Sequence, residues 1–307
     1  MFLRIVGARS AEQFDIIEVK IPFDLNIINT EPGYKSKLDG LLLYFGEALK
    51  STQFPEKYGT KRRVDMTKCD IKDIKASVIE EVTRSRAKHA VFDLYGTLVD
   101  IHTDEEQKNF WKKLAKFLRK HGIHYEYKEL KKEYARLCEK HSRLLREKYP
   151  DNNIEIDISD VFYELCSRKN GSVTREFSDA FGYIFRAESR AYVRVYDGVY
   201  ELLGSLRDMG VKVWLLSNAQ AIFTMPELES LDLVKYFDGI AISSDAGFKK
   251  PDAAFANYLF EKYPEAGINP NECLMVGNEY RSDGRVAQNA GMNFLYVVSN
   301  LTPGEEK

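Results

Sequence analysis

The fold is decided by the stretch Ala90-Val-Phe-Asp-Leu-Tyr-Gly-Thr-Leu-Val-Asp100. Its first half is an apolar run, which is typical of a strand that is buried on both faces. Asp93 stands at the end of that strand, and Gly96 allows a sharp turn after it. Open α/β sheets bind ligands at the carboxyl ends of their strands. Asp93 is therefore a candidate nucleophile with the Thr97 hydroxyl beside it, although a lone aspartate after a strand is more often a cap or turn residue.

The composition is that of a globular chain long enough for two domains, or for one domain with a large insertion. The 307 residues are 44% hydrophobic, and the net charge of −2 gives no general attraction to nucleic acid or membranes. No apolar run reaches the roughly 18 residues of a spanning helix, and the first residues are too interrupted for a secretory signal. The four cysteines form no Cys-x-x-Cys pair, so no zinc site is expected. We expect a cytoplasmic protein without nucleic-acid or membrane partners.

From Asp197 onward, apolar strand patterns alternate with helical ones. Together with the strand before Asp93, this alternation predicts an α/β fold with a Rossmann-like, doubly wound parallel sheet that helices cover on both faces. The expected strands are at 211–216, 240–242, 273–276 and 294–298.

The residues before and within this core predict two further parts. Helical periodicity predicts an inserted α-helical cap at 101–192, which divides the core into 87–100 and 193–307. Thr103 and Glu106 have the spacing of a capping box ahead of its first helix. Residues 1–86 are expected to form a small α+β segment of unknown role, with strands at 2–7 and 14–21 and helices around 38–49 and 71–86. This segment is the candidate surface for self-association.

Polar residues follow three more of the expected strands. Ser217 and Asn218 come after 211–216, where a hydroxyl and N–H groups can hold an anion's oxygen. Lys250 precedes Pro251 and Asp252, after the strand at 240–242. Asn278 and Asp283 come after 273–276 and offer oxygen ligands of the kind that Mg²⁺ takes. Each also has an ordinary interpretation, as a loop residue, a surface lysine or a helix cap.

Taken in order, these four motifs resemble those of the haloacid dehalogenase-like hydrolase superfamily, over about residues 88–300. The family's usual first motif is Asp-x-Asp-Gly-Thr and its usual fourth is Gly-Asp-x-x-x-x-Asp. Two positions depart from that pattern, because Tyr95 replaces the second aspartate and Asn278 replaces the first acid of the fourth motif. The resemblance implies a catalytic set of Asp93, Tyr95, Thr97, Ser217, Asn218 and Lys250, and a Mg²⁺ site of Asp93, the Tyr95 carbonyl, Asn278 and Asp283, with Glu279 as a further contributor.

A helical insertion after the first motif is similar to the family's first cap type. Such a cap closes over the nucleophile, excludes water and selects the substrate. His102, Arg119, His124 and Arg143 are the candidates to reach the site from it, and core packing or solvent exposure is the ordinary alternative for each.

The favoured function is a Mg²⁺-dependent phosphohydrolase that acts on a small, anionic, phosphorylated metabolite. In family members the first aspartate attacks phosphorus, and water then hydrolyses the aspartyl intermediate. Tyr95 is a poor base at neutral pH, since an unperturbed tyrosine pKa is about 10. We therefore expect slow turnover, or a preference for substrates such as acyl phosphates whose leaving group needs little protonation.

Two alternatives stay open at the level of sequence. A 2-haloacid dehalogenase-type hydrolase is favoured by Asp-Leu-Tyr-Gly-Thr and by Asn278, because a halide leaves without a proton. It is opposed by the spacing from Asn278 to Asp283 and by Ala256, where those enzymes carry a tyrosine. A weakly active regulatory protein that binds a phosphorylated ligand is the second alternative, since two catalytic positions depart from the phosphatase pattern.

Overall fold

The computed structural model describes residues 2–10, 13–20 and 71–304, and the chain divides into two units, Met1–Glu56 and Lys57–Lys307. The first unit contains an antiparallel pair of strands, β1 (Phe2–Ser10) and β2 (Gln13–Lys20), which confirms the two strands predicted there. The helix predicted around 38–49 lies outside the described residues. None of the helices in the described ranges is long and apolar enough to cross a membrane.

The second unit alternates helices and strands around one sheet. In chain order its elements are α1 (Ile71–Ser85), β3 (His89–Phe92), β4 (Val99–Thr103), α2 (Lys108–Lys120), α3 (Tyr127–Lys148), α4 (Ile158–Ser167), α5 (Arg175–Ser189), β5 (Arg190–Val195), α6 (Val199–Asp208), β6 (Lys212–Ser217), α7 (Ala221–Ser230), β7 (Gly239–Ile242), α8 (Ser243–Ala246), α9 (Ala253–Lys262), β8 (Cys273–Gly277), α10 (Arg285–Ala290) and β9 (Asn293–Tyr296). Short 3₁₀ turns and a π-helical turn at Tyr280–Gly284 complete it.

The sheet has five parallel strands in the order β7-β6-β3-β8-β9, with β3 at its centre. Successive residues of β3 point to opposite faces, so Ala90 and Phe92 belong to one apolar cluster and Val91 to another. On the first face α1 buries Ile74 and Val78 against the core. Helices on both faces explain the continuous apolar run, and the predicted Rossmann-like, doubly wound α/β fold is confirmed.

Strands β4 and β5 form an antiparallel pair that the sequence analysis did not predict. Their pairing runs from Val99 to Thr103 and holds Thr103 in an extended strand. The predicted capping box at Thr103 and Glu106 is therefore wrong, because α2 begins at Lys108 and has no side-chain cap. A capping box occurs instead at Glu126, ahead of α3.

The chain from Lys108 to Ser189, which lies between β4 and β5, is called the helical insertion below. Its helix α2 buries the predicted apolar stripe, which consists of Phe110, Trp111, Leu114, Phe117 and Leu118. In α3 the predicted stripe is buried at Leu130 and Leu137, whereas Leu144 is 52% exposed. That the insertion acts as a cap, and that the chain divides at 86, 100 and 192, remain predictions.

A buried ionic network joins the helical insertion to α7. The Glu227 carboxylate accepts hydrogen bonds from Arg186 Nε at 2.8 Å and Arg190 Nη1 at 2.7 Å, and the Tyr95 hydroxyl donates to it at 2.5 Å. Burial acts to raise the pKa of Glu227, but the hydrogen bonds and charge of Arg186 outweigh it and lower the pKa. The carboxylate is therefore ionised and has donors on both oxygens. Such a buried network becomes costly when one member is removed, because the remaining charges lose their partner.

We predict that Glu227→Gln lowers the free energy of unfolding by about 3–5 kcal/mol at neutral pH, since it leaves buried guanidinium charge uncompensated. The measurement is urea denaturation, with Glu229→Gln as the control because Glu229 lies exposed on the same helix. The lowered pKa means that Glu227 contributes fully above the ordinary glutamate pKa of about 4.3, and that this contribution is lost as the pH falls further. The difference from wild type should shrink in that acid range. Equal stability of the two variants at pH 7 would contradict the network's role.

Candidate active site

Asp93, Lys250 and Asp283 meet at the carboxyl edge of the sheet. Asp93 directly follows β3, and Asp283 lies in the π-helical turn after β8. The Lys250 Nζ atom is 2.6 Å from Asp93 Oδ1 and 2.7 Å from Asp283 Oδ1, and all three residues are buried. The structure thus brings the first, third and fourth sequence motifs into direct contact.

The charges of this cluster do not balance. Burial acts to lower the pKa of Lys250, but the charges of Asp283 and Asp93 outweigh it and raise the pKa, so the amine is an ammonium at neutral pH. Burial, together with the charge of Asp93, raises the pKa of Asp283 above its ordinary value in spite of Lys250. One ammonium between two carboxylates leaves a net negative site. An anionic substrate therefore needs further positive charge there.

Thr97 and Asn278 lie next to the other oxygen of Asp93. The Thr97 hydroxyl is 3.3 Å from Asp93 Oδ2 and 3.3 Å from Asn278 Oδ1. The carboxylate oxygen of Asp93 and the amide oxygen of Asn278 therefore lie near the same hydroxyl. Gly96 makes this approach possible, because it has a φ of 91° and a Cβ there would lie 2.4 Å from Asn278 Nδ2.

The second motif contributes one positioning contact and one free hydroxyl. Asn218 forms a reciprocal pair with the Lys250 backbone, donating from Nδ2 to its carbonyl at 3.1 Å and accepting its N–H on Oδ1 at 2.8 Å. Ser217 is buried at the end of β6, and its hydroxyl has no hydrogen-bond partner within the described part of the chain. Buried hydroxyls are normally paired, so Ser217 has unused hydrogen-bonding capacity, although it is not among the residues that line the cavity at Asp93.

The Tyr95 hydroxyl contacts Glu227 and Thr224. Burial and the Glu227 carboxylate raise the pKa of Tyr95, so the phenol keeps its proton at neutral pH. In this arrangement the hydroxyl donates a hydrogen bond to Glu227.

A cavity of about 200 Å³ opens on this cluster. Three of its residues were not in the predicted site: Ser282, which donates to Glu279 Oε2 at 2.8 Å, and the apolar Leu301 and Pro303. They follow the carboxyl ends of β8 and β9, and that position was the signal that could have identified them. The lining consists of Asp93, Tyr95, Asn218, Lys250, Asn278, Glu279, Ser282, Asp283, Leu301 and Pro303.

The four residues proposed to reach the site from the helical region lie elsewhere. Arg119 pairs with Glu126, and Arg143 with Glu147, in each case between exposed side chains. The His102 ring stacks on Tyr192, and His124 is exposed. For these residues the ordinary alternatives describe the structure.

The cluster offers oxygen donors for a cation, but not a set of acidic side chains. Among the described residues, no group of three or more His, Cys, Asp or Glu could hold a metal ion. Asp93 Oδ2 and Asn278 Oδ1 nevertheless adjoin through Thr97, and hard cations accept amide as well as carboxylate oxygens. This donor set fits Mg²⁺ with one carboxylate fewer than a fully acidic site.

Similar proteins occur among sequence families, curated proteins and solved structures. A family model described as haloacid dehalogenase-like hydrolase matches residues 87–291, which is more than half of the chain. The glyceraldehyde 3-phosphate phosphatase of Methanothermobacter thermautotrophicus is 31% identical over 116 residues, which cover 38% of this chain and 50% of that enzyme. The chain thus spans about half the length of this relative.

Two further similarities are longer and weaker. The human N-acylneuraminate-9-phosphatase is 24% identical over 212 residues, 68% of this chain and 81% of that enzyme. The crystal structure of a HAD phosphatase from Thermococcus onnurineus superposes with a TM-score of 0.47 at 21% identity, covering 71% of this chain and 89% of that one.

We predict that Gly277→Ala disrupts the ionic cluster, because a Cβ at Gly277 would lie 2.2 Å from Asp283 Oδ2. Forcing Asp283 aside should cost about 1–3 kcal/mol of unfolding free energy, the usual range for overpacking. The control is Gly204→Ala in α6, where a Cβ meets nothing within 4 Å and alanine should stabilise the helix by roughly 0.5–1 kcal/mol. Thermal or urea denaturation measures both, and equal stability of the two variants would refute the close approach.

Proposed function

The chain belongs to the haloacid dehalogenase-like hydrolase family, and from that premise we propose that it is a phosphohydrolase in which Asp93 is the nucleophile. The observation that carries the proposal is the buried contact of Asp93 with Lys250, which also holds Asp283. Curated relatives named as phosphatases support phosphate as the group transferred.

In the proposed reaction a carboxylate oxygen of Asp93 attacks the substrate phosphorus and displaces the leaving-group oxygen. The product is an aspartyl phosphate, which water then hydrolyses to phosphate and the free carboxylate. Lys250 keeps Asp93 ionised before the attack and offsets charge that develops on the phosphoryl oxygens. Ser217, whose buried hydroxyl is unpaired in the described part of the chain, is suited to donate to one of those oxygens.

Mg²⁺ is the proposed cofactor, because the net negative cluster needs added positive charge to accept a phosphate. The ligands that the chain offers are Asp93 Oδ2, the Tyr95 carbonyl and Asn278 Oδ1, with Asp283 nearby. When bound, the ion would neutralise phosphoryl charge beside Asp93. Binding should be weaker than at an all-carboxylate site, since ligand charge sets affinity for hard cations.

The proposed substrate is a small phosphorylated metabolite whose leaving group departs with little protonation, such as an acyl phosphate. Tyr95 keeps its proton and donates a hydrogen bond to Glu227, so we propose that the first motif supplies no acid–base group. General acid–base catalysis contributes typically 10²–10⁴-fold. The roughly 200 Å³ cavity suits a small molecule.

We predict that the purified protein releases phosphate in a Mg²⁺-dependent manner and that Asp93→Asn lowers this release at least about 10³-fold, because the amide is a poor nucleophile. The measurement is a phosphate assay over acyl, aryl and alkyl phosphates, with and without EDTA. Acyl phosphates should be hydrolysed about 10²-fold or more faster than alkyl phosphates, since the missing acid matters least for them.

The control for that assay is Asp232→Asn, an exposed aspartate remote from the cavity lining. Halide release from 2-chloropropionate without metal would instead support the dehalogenase alternative. Ligand-induced thermal stabilisation with no turnover of any compound would support the regulatory alternative. Either result would reject the phosphohydrolase.

We predict that Asn278→Asp raises the affinity for Mg²⁺ by about tenfold or more, because it restores a carboxylate to the proposed ligand set. Isothermal titration of the metal-free protein with Mg²⁺ measures it without any need for turnover. Asn271→Asp, which adds the same charge at an exposed position, is the matched control. Unchanged affinity in Asn278→Asp would remove Asn278 from the proposed metal site.

A further inference from the structure

The cavity at Asp93 has a chemically mixed lining. It combines the ionic cluster and its amide neighbours with apolar surface from Leu301 and Pro303. Both belong to the segment 299–303, which follows β9 and is called the C-terminal wall below. No residue of the helical insertion is among those that line the cavity. Leu301 and Pro303 are the aliphatic residues of that lining.

The C-terminal wall is a fixed turn. Thr302 is buried, and its hydroxyl accepts the backbone N–H of Ser299 at 2.9 Å. The Leu301 N–H donates to the Ser299 hydroxyl at 3.2 Å. Just before the turn, the Val297 N–H donates to the Gly277 carbonyl at 2.9 Å and continues the pairing of β9 with β8. These contacts fix the backbone of the turn that carries Leu301.

A buried carboxylate connects this turn to the first motif. Asn300 Nδ2 donates to Asp100 Oδ1 at 2.9 Å, and Arg194 donates to Asp100 Oδ2 from Nε at 2.9 Å and Nη2 at 2.7 Å. Asp100 is 1% exposed and lies in β4, seven residues after Asp93 along the chain. Asn300 also accepts a hydrogen bond from the Tyr196 hydroxyl. The C-terminal wall and Asp93 are therefore both connected to the hairpin formed by β4 and β5. The wall is connected through the hydrogen bond from Asn300 to Asp100, and Asp93 through the chain that leads into β4.

We propose that Leu301 determines substrate specificity and that Asn300 positions it, so that the site selects phosphorylated compounds with a short apolar leaving group. This inference rests on the proposed function for the identity of the anionic group. A leaving group that begins at the ionic cluster meets Leu301 and Pro303 across the cavity. Short acyl or alkyl chains gain that contact, and longer chains are excluded by it.

The test is a series of alkylphosphonates from methyl to hexyl, which cannot be hydrolysed, titrated with Mg²⁺ present into wild type and Leu301→Ala. Wild type should bind one short chain most tightly, and Leu301→Ala should bind a longer chain most tightly. For the short chains, affinity should fall about fourfold for each methylene group that no longer packs against residue 301. Leu144→Ala, which truncates an exposed leucine, is the matched control and should leave the series unchanged.

Asn300→Ala should reduce the differences in affinity among the phosphonates without changing which chain length binds most tightly. The reason is that this variant loosens the C-terminal wall but leaves the Leu301 side chain intact. A general loss of stability would lower every affinity alike and leave the chain-length dependence intact. The KM values of acetyl, butyryl and hexanoyl phosphate should follow the same order in each variant, with kcat changed less than KM.

Failure of this inference is distinct from failure of the proposed function. An active enzyme whose chain-length dependence is the same in wild type and Leu301→Ala overturns the specificity role alone. The protein could instead hydrolyse nothing but bind phosphonates with a chain-length dependence that Leu301→Ala shifts. That result would overturn the proposed phosphohydrolase activity and support the specificity role of Leu301. Absence of phosphonate binding and of hydrolysis in all variants overturns both.

Discussion

The candidate site depends on one buried ammonium that two carboxylates share. Lys250 follows β7, Asp93 follows β3 and Asp283 follows β8, so the contact forms only if the parallel sheet aligns the carboxyl ends of its strands. Burying such charges is costly unless each finds a partner. The apolar clusters on both faces of the sheet supply the rigid frame that holds these partners in place. The same contact joins Asp93 and Asp283 through one shared ammonium.

The identity of residue 95 links the chemistry to the helical insertion. An aspartate at this position, as in the usual first motif, would be available for proton transfer beside the nucleophile. Tyrosine instead extends to Glu227 and joins the network that holds Arg186 and Arg190. A donor that the network requires cannot also act as a base, because its proton stabilises the buried carboxylate. Residue 95 of the first motif therefore forms a structural connection to the buried network.

Local pattern was sufficient to predict the sheet, because each buried strand is contiguous in sequence, whereas the four strand-end motifs were identified by their resemblance to those of a known family. The failures concern contacts between distant positions. Thr103 has a capping-box pattern, but pairing with Arg190 places it in a strand. Tyr95 and Glu227 are 132 positions apart, and nothing in either local pattern indicates that they meet. Leu301 lies in a turn whose location is set by Asp100, again a contact that periodicity does not encode.

The β4–β5 hairpin connects these unpredicted features. It begins directly after the first motif and leads into the helical insertion, while Asp100 within it holds Asn300 and the turn beside the cavity. The hairpin thus connects the insertion to the turn that carries Leu301, although no side chain of the insertion is among the cavity lining. The pairing of β4 with β5 and the hydrogen bond from Asn300 to Asp100 are the contacts that make up this connection.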